Sequence, residues 1–176
     1  MNHTRTAVLA LIVLLCAWPG LSHANQNRAR SESALAVTIR AVETEVAAGT
    51  AVRIVATATN TSDKTIPFWQ ENAQDQGGVV YRVEVENAKG ESAPDTKLGA
   101  RFKRQDDAAH ISSPEDVRLG SGVELPLKPG EQKDAEINVS LLYDLSSPGK
   151  YTIAVRRADS RGNVVKSNAV TVTVTP

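Results

Sequence analysis

Apolar and polar residues alternate along most of the chain after residue 33, as they do in strands that bury one face. The clearest stretch is "VVYRVEVEN", in which Val79, Tyr81, Val83 and Val85 share one face and charged residues occupy the other. Clusters rich in Gly, Asn, Ser and Asp separate such stretches and are typical of turns. The pattern predicts about eight or nine short strands, and therefore an all-β, antiparallel Ig-like β-sandwich over residues 34–176. The predicted strands lie in "LAVTIRAVETEV", "VRIVATAT", "TIPFW", "VVYRVEVEN", "VELPLKPGEQ", "DAEINVSLLYDL", "GKYTIAVRRAD" and "NVVKSNAVTVTVTP".

A tyrosine near the C-terminal end favours the same fold. In "YDLSSPGKYTIAV", a turn that ends in Gly149 is followed by Tyr151 at the start of a strongly alternating strand. Ig-like domains place a tyrosine corner at such a position, where the hydroxyl group bonds back to the chain just upstream. We predict this bond for Tyr151; the alternative is that its ring only packs at the strand end.

Residues 91–122 break the strand pattern. The stretch is charged and rich in residues that interrupt regular structure, so we predict an irregular insertion. Its one regular feature is a helical turn at "SPED", capped by Ser113. The insertion includes a short basic cluster with Arg101, Lys103 and Arg104, whose charge the acids that follow offset. Long connections in compact domains are often functional, which makes this region a candidate binding surface.

The first 24 residues have the layout of a signal peptide. An early arginine precedes an apolar run over residues 7–18, which is too short to span a bilayer comfortably, and "SHA" provides a cleavage site. We expect cleavage after this motif, a periplasmic or extracellular protein, and a flexible linker over residues 25–33. The alternative is a lipoprotein anchored through Cys16, although Leu15 is large for the position before a lipobox cysteine.

Removal of this segment limits the chemistry that remains. The 152 residues left contain no cysteine, one tryptophan and one histidine, with 19 basic against 20 acidic residues. No disulfide or thiol nucleophile is then available, and the chain is long enough to form one domain without such staples. The balanced charge argues against a nucleic-acid binder or an anionic-membrane binder. No apolar segment after residue 24 is long enough to cross a membrane.

Candidate catalytic and metal-ligating residues are few. His110 is the one histidine after residue 24, and it lies near Asp106 and Asp107 without a glycine-framed serine elbow. Zinc needs more His or Cys ligands than remain, and calcium needs a denser series of oxygen ligands. We therefore predict no catalytic residue, no metal site and no cofactor.

Several motifs occur in an order that resembles a known module. The stretches "ATATNTSDKTIPF", "VVYRVEVENAKGE", "LPLKPGEQ" and "SPGKYTIAV" are similar to the ordered turns and strands of bacterial BsuPI-type proteinase-inhibitor domains. The resemblance spans residues 50–157 and implies an Ig-like fold, with proteinase inhibition as an activity to test. The insertion at 91–122 has no counterpart in that module, and no inhibitory loop can be assigned.

Phe68 and Trp69 stand side by side in "TIPFWQENAQDQGG", although the chain is only 4% aromatic. Neighbouring residues of a strand point to opposite faces, so both rings cannot enter the same core. We expect Trp69 to be the buried tryptophan of an Ig-like sandwich, with Phe68 covering an edge. In the alternative orientation, Ile66 and Phe68 lie inside and Trp69 is exposed as an anchor for a protein or a sugar.

Together these patterns favour an exported, non-catalytic binding module with a protein partner. Because sandwiches carry function on loops, contacts are expected from the loop after Trp69 and from residues 91–122. The alternatives are a proteinase inhibitor, a carbohydrate-binding module and an enzyme with its site in the insertion. The candidate partner-binding residues are Phe68, Trp69, Gln70, Glu71, Asp75, Arg101, Phe102, Arg104 and His110.

Overall fold

The computed structural model describes residues 33–71, 80–109 and 122–176. Within these ranges the chain forms ten strands and one α-helix, which confirms the predicted all-β sandwich. The strands are β1 (Leu35–Ala41), β2 (Glu45–Ala47), β3 (Arg53–Asn60), β4 (Ile66–Glu71), β5 (Arg82–Asn87), β6 (Gly122–Leu127), β7 (Gln132–Asn138), β8 (Gly149–Ala158), β9 (Val164–Lys166) and β10 (Val170–Thr175); the helix is α1 (Lys97–Ala109), and a 3₁₀ turn covers Val139–Leu141.

The strands form two sheets and a ribbon. The first sheet has the order β1-β3-β7, and the second has the order β2-β10-β8-β5 with β9 also paired to β8. Strands β4 and β6 form the two-stranded ribbon. The described pairs are antiparallel except for β2 and β10, which are parallel. This corrects the purely antiparallel prediction: the stretch expected to be one strand changes sheets between β1 and β2 and meets β10 in parallel.

One hydrophobic core joins the two sheets. Alternation sends Ile39 and Ile54 inward from the first sheet and Val85, Ile153 and Val172 inward from the second, and each of these side chains is buried. Full burial of such a side chain contributes about 1.5–3 kcal/mol. The period-two pattern in the sequence predicted these core residues, because alternate residues of a strand face the core.

The tyrosine corner is present as predicted. The hydroxyl group of Tyr151 donates a hydrogen bond of 2.8 Å to the carbonyl oxygen of Ser147. The ring itself is buried, and Gly149 begins β8 just before it. This bond fixes the loop that leads into β8, the central strand of the second sheet.

Residues 91–122 are not irregular throughout, because helix α1 occupies residues 97–109. The side chain of Thr96 caps the helix by accepting a hydrogen bond of 3.0 Å from the backbone N–H of Gly99. Leu, Ala, Arg, Lys and Gln residues with good helix propensity follow. The prediction of an irregular segment is therefore wrong here, whereas the proposed turn at Ser113 lies outside the described residues.

A side-chain amide in the segment between β9 and β10 connects the two sheets. Asn168 accepts a hydrogen bond of 2.8 Å from the backbone N–H of Ile39 and donates one of 3.0 Å to its carbonyl oxygen. Both backbone groups of Ile39 are thereby satisfied at the outer edge of β1. The last predicted strand is consequently split into β9 and β10, with Asn168 between them.

Candidate functional site

Helix α1 is held against the chain that follows the 3₁₀ turn. The backbone N–H of Thr96 donates to the carbonyl oxygen of Leu142 at 3.0 Å, and the Thr96 hydroxyl group donates to the carbonyl oxygen of Leu141. Gly99 comes so close to the same segment that a Cβ atom there would lie 1.9 Å from the carbonyl oxygen of Leu142. The close approach requires a glycine, and it determines where α1 runs.

A cleft of about 450 Å³ lies between α1 and the outer face of β5 and β8 in the second sheet. Phe102, Leu142 and Tyr143 provide its apolar lining. The hydroxyl group of Tyr143 donates a hydrogen bond of 2.7 Å to the carbonyl oxygen of Val83, which satisfies an edge group of β5. A volume of this size is typical of sites that bind small molecules or single side chains.

On the helix side, the charge of the cleft is neutralised. The Nζ atom of Lys103 lies 2.7 Å from a carboxylate oxygen of Asp95 and 4.9 Å from the ring centre of Tyr143. Partial burial alone would lower the pKa of Lys103, but the bond to Asp95 and the proximity of Tyr143 outweigh it and raise the pKa. Burial raises the pKa of Tyr143, and the Lys103 ammonium opposes only part of that effect. Lys103 is therefore a cation and the Tyr143 phenol is neutral near pH 7.

On the sheet side, three cations stand in a row across three strands. Arg82 of β5 is directly opposite Arg156 of β8, and Arg156 is directly opposite Lys166 of β9. All three side chains are exposed and line the cleft. Glu84 pairs with two of them, at 2.6 Å from Arg156 and 3.2 Å from Lys166. Glu86 also lines this wall, which therefore has three basic side chains and two acidic ones.

Strand β4 buries Phe68 and leaves Trp69 half-exposed on the other face, so the expected burial of Trp69 is wrong. Phe68 is only 5% exposed, and its ring centre lies 4.0 Å from the guanidinium of the buried Arg157, which also stacks at 4.7 Å on Tyr81. The interior cation favours an aromatic face on the core side of β4, which explains the orientation. Phe68 is therefore unavailable to a partner, whereas the Trp69 indole lies over Gly122 on the ribbon.

Among the other predicted residues, Phe102 is the one that lines the cleft. It is partly buried and packs against the core from α1. Arg101 and Arg104 are exposed on the same helix and are not among the lining residues. The remaining predicted residues are Gln70, which is half-buried; Glu71, which ends β4 and whose side chain is not described; and Asp75 and His110, which lie outside the described residues.

The sheet-side wall was missed by sequence reasoning. Glu84 was expected on the polar face of β5, but alternation does not reveal which strand lies beside β5. The one local signal is the pair "RR" in β8, because neighbouring residues point to opposite faces. Arg157 is indeed buried and Arg156 exposed. The register that aligns Arg156 with cations on both neighbouring strands is a nonlocal property.

No family model matches the sequence, and no curated protein matches it. Among solved structures, the chain is similar to the CARDB domain of the PF1109 protein from Pyrococcus furiosus, with 13% identity and a TM-score of 0.39 over 80% of this chain and 87% of that one. It is also similar to a β-glucosidase from Erythrobacter marinus, with 12% identity and a TM-score of 0.40 over 80% of this chain and 15% of that one. A third similar structure is the adhesin InvE from Yersinia pseudotuberculosis, with 12% identity and a TM-score of 0.33 over 82% of this chain and 33% of that one.

This chain therefore spans only a small part of the glucosidase and the adhesin. Similarity at this level of identity and TM-score indicates neither a family nor an activity. The resemblance to BsuPI-type domains stays a prediction.

Clusters of metal ligands and membrane-spanning helices are both absent from the described residues. Over residues 33–71, 80–109 and 122–176, His, Cys, Asp and Glu side chains form no group of three or more that could hold a metal ion. In the same part of the chain, no helix has the length and apolar character needed to span a bilayer.

Proposed function

We propose that this domain is an exported, non-catalytic binding module, and that a protein partner binds in the cleft between α1 and the outer face of β5 and β8. The observation that carries the proposal is the combination of an apolar lining with charged walls in one cleft of about 450 Å³. Residues of both kinds are typical of protein-recognition sites, in which apolar anchors enter a pocket and charges at the rim orient the partner. Export is supported by the signal-peptide pattern of residues 1–24.

The distribution of aromatic residues favours a protein over a carbohydrate as the ligand. Four of the six aromatic residues after the signal segment are buried, and only Trp69 and Phe102 are partly exposed. These two lie on different elements, the ribbon and the helix, and Phe102 packs against the core. A sugar platform needs several planar rings on one surface, and the described aromatic residues supply no such set.

Proteinase inhibition is the alternative that the BsuPI-type resemblance implies. The motifs that carry the resemblance stabilise turns and strand ends in this chain. Asn60 joins the end of β3 to that of β6, Gly130 adopts a φ of 73° in a turn, and Tyr151 forms the corner bond. They support the fold of that module more than its activity, so inhibition ranks second. Assaying the purified domain against a panel of serine, cysteine and metalloproteases tests this alternative directly.

The cleft proposal can be tested by blocking the cleft without changing its charge. Ser92 is exposed and lines the cleft, so Ser92→Trp fills it with a bulky side chain. Thr50→Trp places the same side chain at an equally exposed turn and serves as the matched control. Each variant of residues 25–176 is immobilised, exposed to a cell-envelope extract, and the captured proteins are quantified by mass spectrometry.

The proposal predicts at least one protein that the wild type and the Thr50→Trp variant capture equally and that the Ser92→Trp variant loses at least tenfold. Equal capture by all three forms would place binding elsewhere, with the Trp69 ribbon as the next surface to block. Turnover of any substrate by the purified domain would contradict the non-catalytic part of the proposal.

A further inference from the structure

We infer that the segment that enters the cleft carries a carboxylate next to a large apolar side chain, and that Arg156 and Lys166 bind the carboxylate. The inference rests on the proposed function and specifies the chemistry of the partner at that same site.

The sheet-side wall of the cleft has basic side chains with donors that a ligand can reach. Each oxygen of the Glu84 carboxylate contacts one cation, Oε1 with Arg156 and Oε2 with Lys166. Arg156 and Lys166 therefore share the Glu84 carboxylate, and with Arg82 and Glu86 the sheet-side wall has three basic and two acidic side chains. A guanidinium has five N–H donors and an ammonium has three, so one acceptor each leaves most of these donors for other acceptors. The two side chains are 45% and 57% exposed, which keeps them within reach of a ligand.

The register of β5, β8 and β9 places three basic residues side by side. Arg82, Arg156 and Lys166 occupy directly opposite positions on three adjacent strands, which lie about 4.8 Å apart. Like charges directly opposite one another destabilise a sheet, and exposed ion pairs return only about 0–1 kcal/mol each. A bound carboxylate between Arg156 and Lys166 would lower the repulsion between these two side chains and add charge-assisted hydrogen bonds, which are stronger than neutral ones.

The opposite wall of the cleft distinguishes a peptide carboxylate from a simple anion such as phosphate. Lys103 forms an ion pair with its own acid, Asp95, so one basic and one acidic side chain offset each other on this wall. Phe102 and Leu142 offer apolar surface within the same cleft. A free phosphate ion would use the cations alone and leave this surface exposed to water. A peptide segment with an acidic residue beside a large apolar residue uses both walls.

The experiment is an NMR titration of the ¹⁵N-labelled chain 25–176 with three peptides, each acetylated and amidated at its ends. Their sequences are Gly-Glu-Leu-Gly, Gly-Gln-Leu-Gly, which lacks the charge, and Gly-Glu-Ser-Gly, which lacks the apolar side chain. We expect the first peptide to shift the amide signals of Arg156, Lys166 and Phe102, and to bind at least threefold more tightly than either of the others. Its affinity should also fall as salt is added, because the contact is electrostatic.

Charge-neutralising variants identify the groups responsible. Arg156→Gln and Lys166→Gln should each weaken the Glu-Leu peptide at least threefold. Arg53→Gln is the matched control, since Arg53 is a similarly exposed strand arginine paired with Glu136 at 3.5 Å on the first sheet. Unchanged signals from the core of each variant show that it remains folded.

Three results would overturn the inference: equal binding of the Gln-Leu peptide, equal binding of inorganic phosphate and the Glu-Leu peptide, or shifts confined to Trp69 and its ribbon. Failure of the peptides together with partner loss in Ser92→Trp would reject this ligand chemistry and leave the proposed function intact. Failure of both experiments would reject the cleft itself.

Discussion

Gly99→Ala separates the effect of helix propensity from the effect of helix docking, because the two predict changes of opposite sign in the free energy of unfolding. Glycine inside a helix costs about 1 kcal/mol relative to alanine, so propensity alone predicts that the variant is more stable. In the structure, however, the added Cβ atom would lie 1.9 Å from the carbonyl oxygen of Leu142 and 2.8 Å from its carbonyl carbon. These are backbone atoms that cannot rotate away.

The size of the effect follows from the displacement that the clash requires. To bring the Cβ–oxygen distance from 1.9 Å to an ordinary contact, the helix must move by about 1.5 Å or more. Such a shift strains the two hydrogen bonds through which Thr96 holds the helix, each worth about 1 kcal/mol. Overpacking of this kind typically costs about 1–3 kcal/mol. We expect Gly99→Ala to lower the free energy of unfolding by about 1–2 kcal/mol after the propensity gain is included.

Urea unfolding followed by far-ultraviolet circular dichroism measures this change, and amide NMR signals from Leu142 and Tyr143 report whether the helix has moved. Arg101→Ala is the control, since Arg101 is exposed on the same helix and its replacement should change stability by less than about 0.5 kcal/mol. If Gly99→Ala raises stability and leaves the Leu142 and Tyr143 signals in place, the docking geometry described above is wrong.

Three further predictions concern the fold and its pH dependence. Asn60 is 1% exposed and donates to the carbonyl oxygen of Leu127 at 2.8 Å, so Asn60→Ala should cost about 2–4 kcal/mol in chemical denaturation; a loss below 0.5 kcal/mol would contradict this. Tyr151→Phe removes the corner bond alone and should cost about 1 kcal/mol in the same assay, whereas an unchanged midpoint would show that the bond contributes nothing. Partial burial would raise the pKa of Asp159, but hydrogen bonds from Asn163 and its neighbours outweigh it and lower the pKa. Its contribution to stability is therefore present above the usual Asp pKa and is lost as the pH falls through the folded value, so Asp159→Asn should reduce the acid dependence of unfolding between pH 5 and 2, roughly, and an unaltered profile would refute it.

Local patterns in the sequence predicted those features that local physics determines. Alternation placed Val83 and Val85 on the buried face of β5, and Tyr81 just before the strand on the same side; all three are buried, because a strand repeats every two residues. The corner at Tyr151 was predicted for a similar reason, since its partner Ser147 is only four residues upstream. Neither prediction needed knowledge of which strands are neighbours.

The features that were missed depend on contacts between distant parts of the chain. Gly99 lies in the stretch predicted to be irregular, and its close approach to Leu142 cannot be read from the sequence before the fold is known. The orientation of Phe68 and Trp69 was predicted the wrong way round because the buried Arg157, which stacks on Phe68, comes from another strand. The cation row has the same origin, because it exists only in the register of β5, β8 and β9.

Site-specific photo-crosslinking tests the central claim most directly, which is that the cleft is where a protein partner binds. A photoreactive amino acid is introduced at position 92, at position 50 and at position 69 in separate variants, each expressed with residues 1–24 and irradiated in intact cells. Ser92 lines the cleft, Thr50 is exposed and is not among the lining residues, and Trp69 lies on the ribbon. We expect a discrete crosslinked protein from position 92 that is absent from positions 50 and 69 and is lost when Arg156→Gln is added. Crosslinks from position 69 but none from position 92 would show that the ribbon, and not the cleft, is the binding surface.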